Sequence, residues 1–176
     1  VQLLYDKENL YVGFRCEDDY VWGTITERDG PIYNEECVEI FVSPSGVGHQ
    51  YYEINVSPKN VVFDAVILNA RTAEKPDAGF SGLANWQPKG LKTAVHVEGE
   101  LDQPGGATGW SAEFVIPIAE LIGAPNTPPK PGDEWSINFY RIDTPKGKAS
   151  ELYAWSPTGL PSFHMPWKFG RLRFEE

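Results

Sequence analysis

Residues 33–56 read YNEECVEIFVSPSGVGHQYYEINV, and the fold turns on this block. Two strand-like runs, Cys37–Ser43 and Gln50–Ser57, flank a Pro-Ser-Gly-Val-Gly turn, 44–48. Glycine reaches backbone angles that other residues avoid, and proline presets its own, so this composition reverses a chain readily. Side chains alternate across a strand. Val38, Ile40 and Val42 therefore share one face, and Cys37, Glu39 and Phe41 the other. In the second run Tyr52, Ile54 and Val56 oppose Tyr51, Glu53 and Asn55. Placing both aliphatic faces in a core leaves Glu39, Tyr51, Glu53 and Asn55 together on the outer side, where the pattern predicts a polar binding surface on a β-sheet.

The same period of two recurs on either side of the block. Val1–Leu4 and Leu10–Cys16 read as a hairpin about Asp6-Lys7-Glu8-Asn9, with Leu10, Val12 and Phe14 facing inward. Asn60–Asn69, Lys92–Leu101, Trp110–Ile116, Glu134–Asp143, Glu151–Ser156 and Gly170–Phe174 read as further strands. Residues 71–88 are polar and rich in Gly, Ala and Pro, which predicts a long surface loop. Pro117–Ile122 is the one helical turn, opened by proline and ended by Gly123. Nine or ten strands with turn signals between them predict an all-β antiparallel sandwich, as one domain over residues 1–176.

Composition narrows the function. Fifteen basic against twenty-five acidic residues give a net charge of −10. Phosphate binding needs a basic stripe, so a nucleic-acid partner is excluded. No apolar run is long enough to span a bilayer, so no membrane partner is expected. Val1-Gln2-Leu3-Leu4 starts inside a strand-like run, as expected of a domain excised from a larger protein. The two cysteines, Cys16 and Cys37, lack the spacing of a thiolate zinc site. Alternation puts Cys16 with core residues and Cys37 with the polar face, which disfavours a bridge between them.

Three groups of residues, taken in order, resemble family 9 carbohydrate-binding modules and their relatives. The first is Tyr5-Asp6 with Asn9-Leu10-Tyr11-Val12, then Val38–Val42, then Tyr51–Pro58. The second is Gly109-Trp110, Glu113, Ile116-Pro117, Pro131–Trp135, Asn138-Phe139 and Arg141. The third is Trp155-Ser156-Pro157, Phe163–Pro166 and Phe169-Gly170. The resemblance covers nearly the whole chain and implies a jelly-roll-like sandwich that binds mono-, oligo- or polysaccharide. It also implies secretion, extracellular or periplasmic, and attachment to a catalytic domain such as a glycoside hydrolase acting on plant polysaccharide. The family's usual segment before the first strand has no counterpart here.

In the sugar-binding members two aromatic rings clamp a terminal pyranose and polar groups hold its hydroxyls. Carried over, the first ring falls on Tyr33, the second near Phe163, and the acidic hydrogen-bonder on Glu39. An arginine of those members aligns with Glu53, and an asparagine with about Leu160, so Asn55, Arg141 and His164 are the replacement donors and acceptors. Tyr51, Trp155 and Trp167 complete the expected ligand set, whereas Trp110 and Trp135 at strand starts are read as structural. No cofactor is required. A structural calcium, bound by some members of the family, is assigned to Glu17, Asp18 and Asp19. No G-x-S-x-G elbow is present, and nothing sets Glu36, Glu39 and Glu53 as a catalytic carboxylate pair, so intrinsic catalysis is not expected. Two alternatives stay open. One is a b-type haem domain of the same sandwich type, with Met165 and His49 or His96 on the iron; the other is a protein-interaction sandwich without sugar binding.

Overall fold

The computed structural model describes residues 1–145 and 148–175. Among the described residues eleven strands form, in chain order: β1 (Gln2–Tyr5), β2 (Asn9–Glu17), β3 (Cys37–Ser43), β4 (Gln50–Val56), β5 (Val62–Asn69), β6 (Phe80–Leu83), β7 (Lys92–Gly99), β8 (Ala107–Pro117), β9 (Glu134–Asp143), β10 (Glu151–Ala154) and β11 (Gly170–Arg173). Short 3-10 turns sit at Ile32–Asn34, Ile118–Glu120 and Pro166–Lys168.

The strands make two antiparallel sheets. One has four strands in the order β1-β2-β8-β7. The other has seven, in the order β10-β9-β3-β4-β5-β6, with β11 also on β9. β10 and β11 share one edge of β9, pairing with 140–143 and 134–137 respectively. The sandwich and the inward faces expected from alternation are present. Val38, Ile40 and Val42 of β3 meet Tyr52, Ile54 and Val56 of β4 in the core between the sheets, with Leu10, Val12 and Phe14 of β2 from the opposite layer. Trp110 and Trp135 are each 1% exposed within it, the structural role that their positions predict.

Two expectations change. The 71–88 segment is not all loop, because β6 pairs with β5 from Val66↔Leu83 to Asn69↔Phe80. All four β6 residues are exposed and Ser81 and Gly82 have low strand preference, so no alternation betrays an edge strand. The second change concerns β3 and β4. Every residue of β3, and of β4 after Gln50, is buried, because the outer face of this sheet is covered as well. A second apolar cluster forms there around Phe41, Tyr51, Tyr140 and Phe163, with Ile32 of the first 3-10 turn. Instead of an open polar face the protein has a covered one that leaves a cleft.

Cys16 belongs to the inner cluster and Cys37 to the outer, and both thiols are free. Treatment with a reductant is therefore expected to leave the thermal unfolding midpoint unchanged. A drop on reduction, followed by calorimetry, would show a bridge.

Candidate functional site

The outer cleft encloses about 640 Å³. Its floor is the outward face of the seven-stranded sheet: Ile142 of β9, Glu39 and Phe41 of β3, Glu53 of β4, Ile67 of β5 and Gly82 of β6. Register explains why the carboxyls meet, since Glu39 faces Asn55 and Phe41 faces Glu53 on adjacent strands. The walls come from Tyr33 in the first 3-10 turn, Phe80 of β6, Arg71, and the Pro161–His164 segment. Tyr33 and Phe80 are 41% and 40% exposed, the most open rings lining the cleft.

The polar groups are held rigidly. The Asn69 side-chain amide donates to the Tyr51 hydroxyl at 3.0 Å. The Tyr51 proton is then directed to His164 Nδ1, 2.7 Å away, which leaves Nε2 carrying the imidazole proton. Burial, and the positive charge of Arg71, bring the His164 pKa down to about 4, so the ring is neutral at pH 7. Its Nε2 stands 4.0 Å from Glu53 Oε2. That is too long for a direct hydrogen bond, yet an oxygen about 2.8 Å from each fits between them.

Glu53 accepts from the Asn55 amide at 2.8 Å. Burial raises its pKa to about 7 against the lowering effect of that bond. Glu39 lies well above the ordinary carboxyl range, first through burial and then through repulsion from Glu53. Of the two, Glu39, displaced further upward, is the better donor and Glu53 the better acceptor. Arg71 is anchored by Nε to the Ala78 carbonyl at 2.8 Å and by Nη1 to Ser162 Oγ at 3.2 Å. Its guanidinium lies 4.8 Å from the centre of Phe80, which in turn stacks on His164 at 3.9 Å.

Of the expected ligand residues, the cleft brings together Tyr33, Glu39, Glu53, Phe163 and His164. Phe163 is mostly covered, flat against Tyr140 at 4.1 Å. The remaining five lie elsewhere. Tyr51 and Asn55 are fully buried and position His164 and Glu53 from beneath. Arg141 points to the other side of the sheet, where its Nη2 meets Asp18 Oδ2 at 2.7 Å and Asp143 Oδ2 at 3.0 Å. Trp155 packs edge-on against Phe139 and over the backbone of Gly170, where any Cβ would strike its ring. Trp167 is half-buried in the last 3-10 turn and does not line the cleft. The reading missed Arg71 and Phe80, whose segment carries no strand pattern.

A flank groove of about 690 Å³ runs past Arg15, Glu17, Tyr153 and Trp155. It is slightly larger than the cleft but poorer in chemistry: Arg141 is spent on its two aspartates, and the Tyr153 hydroxyl bonds Glu151. The haem reading gains no support from His96. Met165 is buried on the outer side of the seven-stranded sheet, whereas His96 alternates with the core residues Val95 and Val97 and faces solvent from the four-stranded one. His49 Nδ1 is engaged with the Asn69 carbonyl at 3.0 Å. The acidic trio Glu17, Asp18 and Asp19 does not converge either. Among the described residues Asp18 instead gathers with Glu36 and Asp143.

Residues 1–174 match the model of carbohydrate-binding family 9. An extracellular protein of Arthroderma benhamiae is 26% identical over 99% of this chain and 77% of its own length. Among solved structures, a candidate carbohydrate-binding protein from Bacteroides uniformis superposes with a TM-score of 0.75 at 23% identity, covering 96% of this chain and 74% of that one. A family 9 module from Caldicellulosiruptor kristjanssonii does so in complex with cellotriose (TM-score 0.63) and with glucose (0.64), each at 15% identity. Those two matches cover 98% of this chain and 72% and 73% of the other. At these identities the structural likenesses establish the sandwich, while the match along almost every residue establishes kinship: the chain belongs to carbohydrate-binding family 9.

Proposed function

We propose that this protein is a non-catalytic carbohydrate-binding module that holds a pyranose in the outer cleft. The observation that carries the reading is the pairing of open rings with fixed hydrogen-bonding groups in one preformed concavity, which is what a saccharide requires. Tyr33 and Phe80 offer flat apolar area to C–H faces at little entropic cost. Glu39, Glu53, the Nε2 proton of His164 and Arg71 supply donors and acceptors for hydroxyls. The family's sugar-bound relative, solved with cellotriose and with glucose, supports a β-glucan end as the first ligand to test. Attached to an enzyme outside the cytoplasm, such a module raises the local concentration of that enzyme at plant polysaccharide. The extracellular fungal relative supports that location.

No tryptophan lines the cleft, so calorimetry is the appropriate readout rather than indole fluorescence. Titration with glucose, xylose, galactose, cellobiose, cellotriose and xylobiose is expected to give saturable binding to at least one, lost in Tyr33→Ala. Heats indistinguishable from dilution for every sugar would reject the proposal. Trp155→Ala serves as the control. Because Trp155 stands on the flank, its removal is expected to leave saccharide affinity within about twofold, whereas a larger loss would move the site to the flank groove.

A further inference from the structure

We propose that the outer cleft selects pyranoses that carry a protonated amino group, as in a glucosamine end, over neutral ones. The inference rests on the reading of the cleft as a pyranose site and names the sugar class that its floor fits. Two carboxyls carry it. Glu39 and Glu53 are 2% and 5% exposed, and both line the cleft. Because Glu39 faces Asn55 and Phe41 faces Glu53, the two are diagonal neighbours on one face of the β3–β4 ladder. Each has one oxygen engaged: Glu39 Oε1 accepts from the Cys37 thiol at 3.4 Å, and Glu53 Oε1 from the Asn55 amide at 2.8 Å. The second oxygen of each accepts no hydrogen bond from the described residues and is not sealed off, which leaves it to the cleft.

No cation touches either one. Among the described residues the one basic side chain paired with them is His164, 4.0 Å from Glu53 Oε2, and its ring is neutral at pH 7. Arg71 is committed through Nε to Ala78 and through Nη1 to Ser162. Asn55, having given its amide to Glu53, keeps a buried Oδ1 without a donor. The floor is therefore rich in acceptors and short of donors. A neutral pyranose seated there strips water from both carboxyls and favours their protonated forms. An ammonium instead brings three N–H donors and the positive charge that lets a carboxylate ionise in place. An N-acetylated amine has lost that charge, and the carboxylate of a uronic acid would meet the pair as a like charge.

Calorimetric titration at pH 6.5 with glucosamine, glucose, N-acetylglucosamine, glucuronate and ethanolamine tests the assignment. Glucosamine is expected to bind about ten- to a hundredfold more tightly than glucose, and the ringless amine ethanolamine to give no saturable heat. Repeated in a second buffer of different protonation enthalpy, the glucosamine titration should report a released proton. That proton comes from the carboxyls, because burial holds the Cys37 thiol and the Tyr51 and Tyr140 hydroxyls above their ordinary ranges, His164 is already neutral and a guanidinium does not titrate. In Glu53→Gln the ratio of glucosamine to glucose affinity is expected to fall toward one; Glu39→Gln provides the same test should that variant fail to fold. Glucose binding as tightly as glucosamine, a preference for glucuronate, or ethanolamine matching glucosamine would each overturn the inference and leave the cleft a ligand site of another preference. Heats of dilution for every sugar would overturn it together with the pyranose reading on which it rests.

Discussion

Replacing Arg71 with alanine is expected to weaken saccharide binding by about ten- to a hundredfold, the equivalent of one charge-assisted hydrogen bond. The size of the effect follows from how the guanidinium is held. Two of its nitrogens are fixed by Ala78 and Ser162, and the group rests against Phe80, so little entropy remains to be lost when a sugar arrives. Removing it also takes from the cleft a cation that, among the described residues, complements the acceptor Glu53. Arg71→Lys keeps the charge but not the planar fork, and should recover only part of the affinity. Calorimetric titration of the three proteins with the best ligand, each checked by its unfolding midpoint, separates lost contact from lost structure. Equal affinities would show that the saccharide does not reach this wall.

The buried carboxyls make the second large effect one of pH. A carboxyl whose folded pKa lies above its unfolded value near 4.3 keeps a proton that the unfolded chain has released. Its stabilising contribution is complete below the unfolded value and is lost as pH rises through the folded one. For Glu53, at about 7, the loss between pH 4.3 and 7 is on the order of 3 kcal/mol. Glu39, displaced further in the same direction by burial and by Glu53, extends the decline to higher pH. His164 acts oppositely. Its folded pKa of about 4 lies below the usual 6.5, so stability is lost as pH falls from 6.5 toward 4. Over that lower range the histidine offsets one of the carboxyls. Urea unfolding at pH 4.5, 6 and 8 should therefore show Glu39→Gln and Glu53→Gln gaining on wild type as pH rises. Variants that parallel wild type at every pH would place both carboxyls in contact with water, contrary to their burial.

The opening hairpin and the core strands were readable because strand geometry is local. Period-two alternation in residues 38–42 and 52–56 names the face that enters the core, whatever lies on the other side. The landmark residues of the family were readable for the same reason, since most of them sit within single strands. Tyr33 and Glu39 followed from them directly. Arg71 and Phe80 did not, because Arg71 lies in the connection after β5 and Phe80 on the exposed edge strand β6, a segment whose composition reads as loop.

What the sequence determined by itself is the all-β sandwich, the pairing of β3 with β4, and the membership of Glu39 and Glu53 in one outer face. What only the tertiary structure decided is what covers that face and which side chains survive as its open cleft. Burial of Tyr51 depends on His164 and Phe169, more than a hundred residues away in sequence, packing over the sheet. The ion pair that engages Arg141 depends on Asp18 arriving from the opposite sheet. Alternation fixes the side of a strand on which a residue stands, but contacts between distant segments fix its neighbours, and those neighbours set charge, exposure and chemistry.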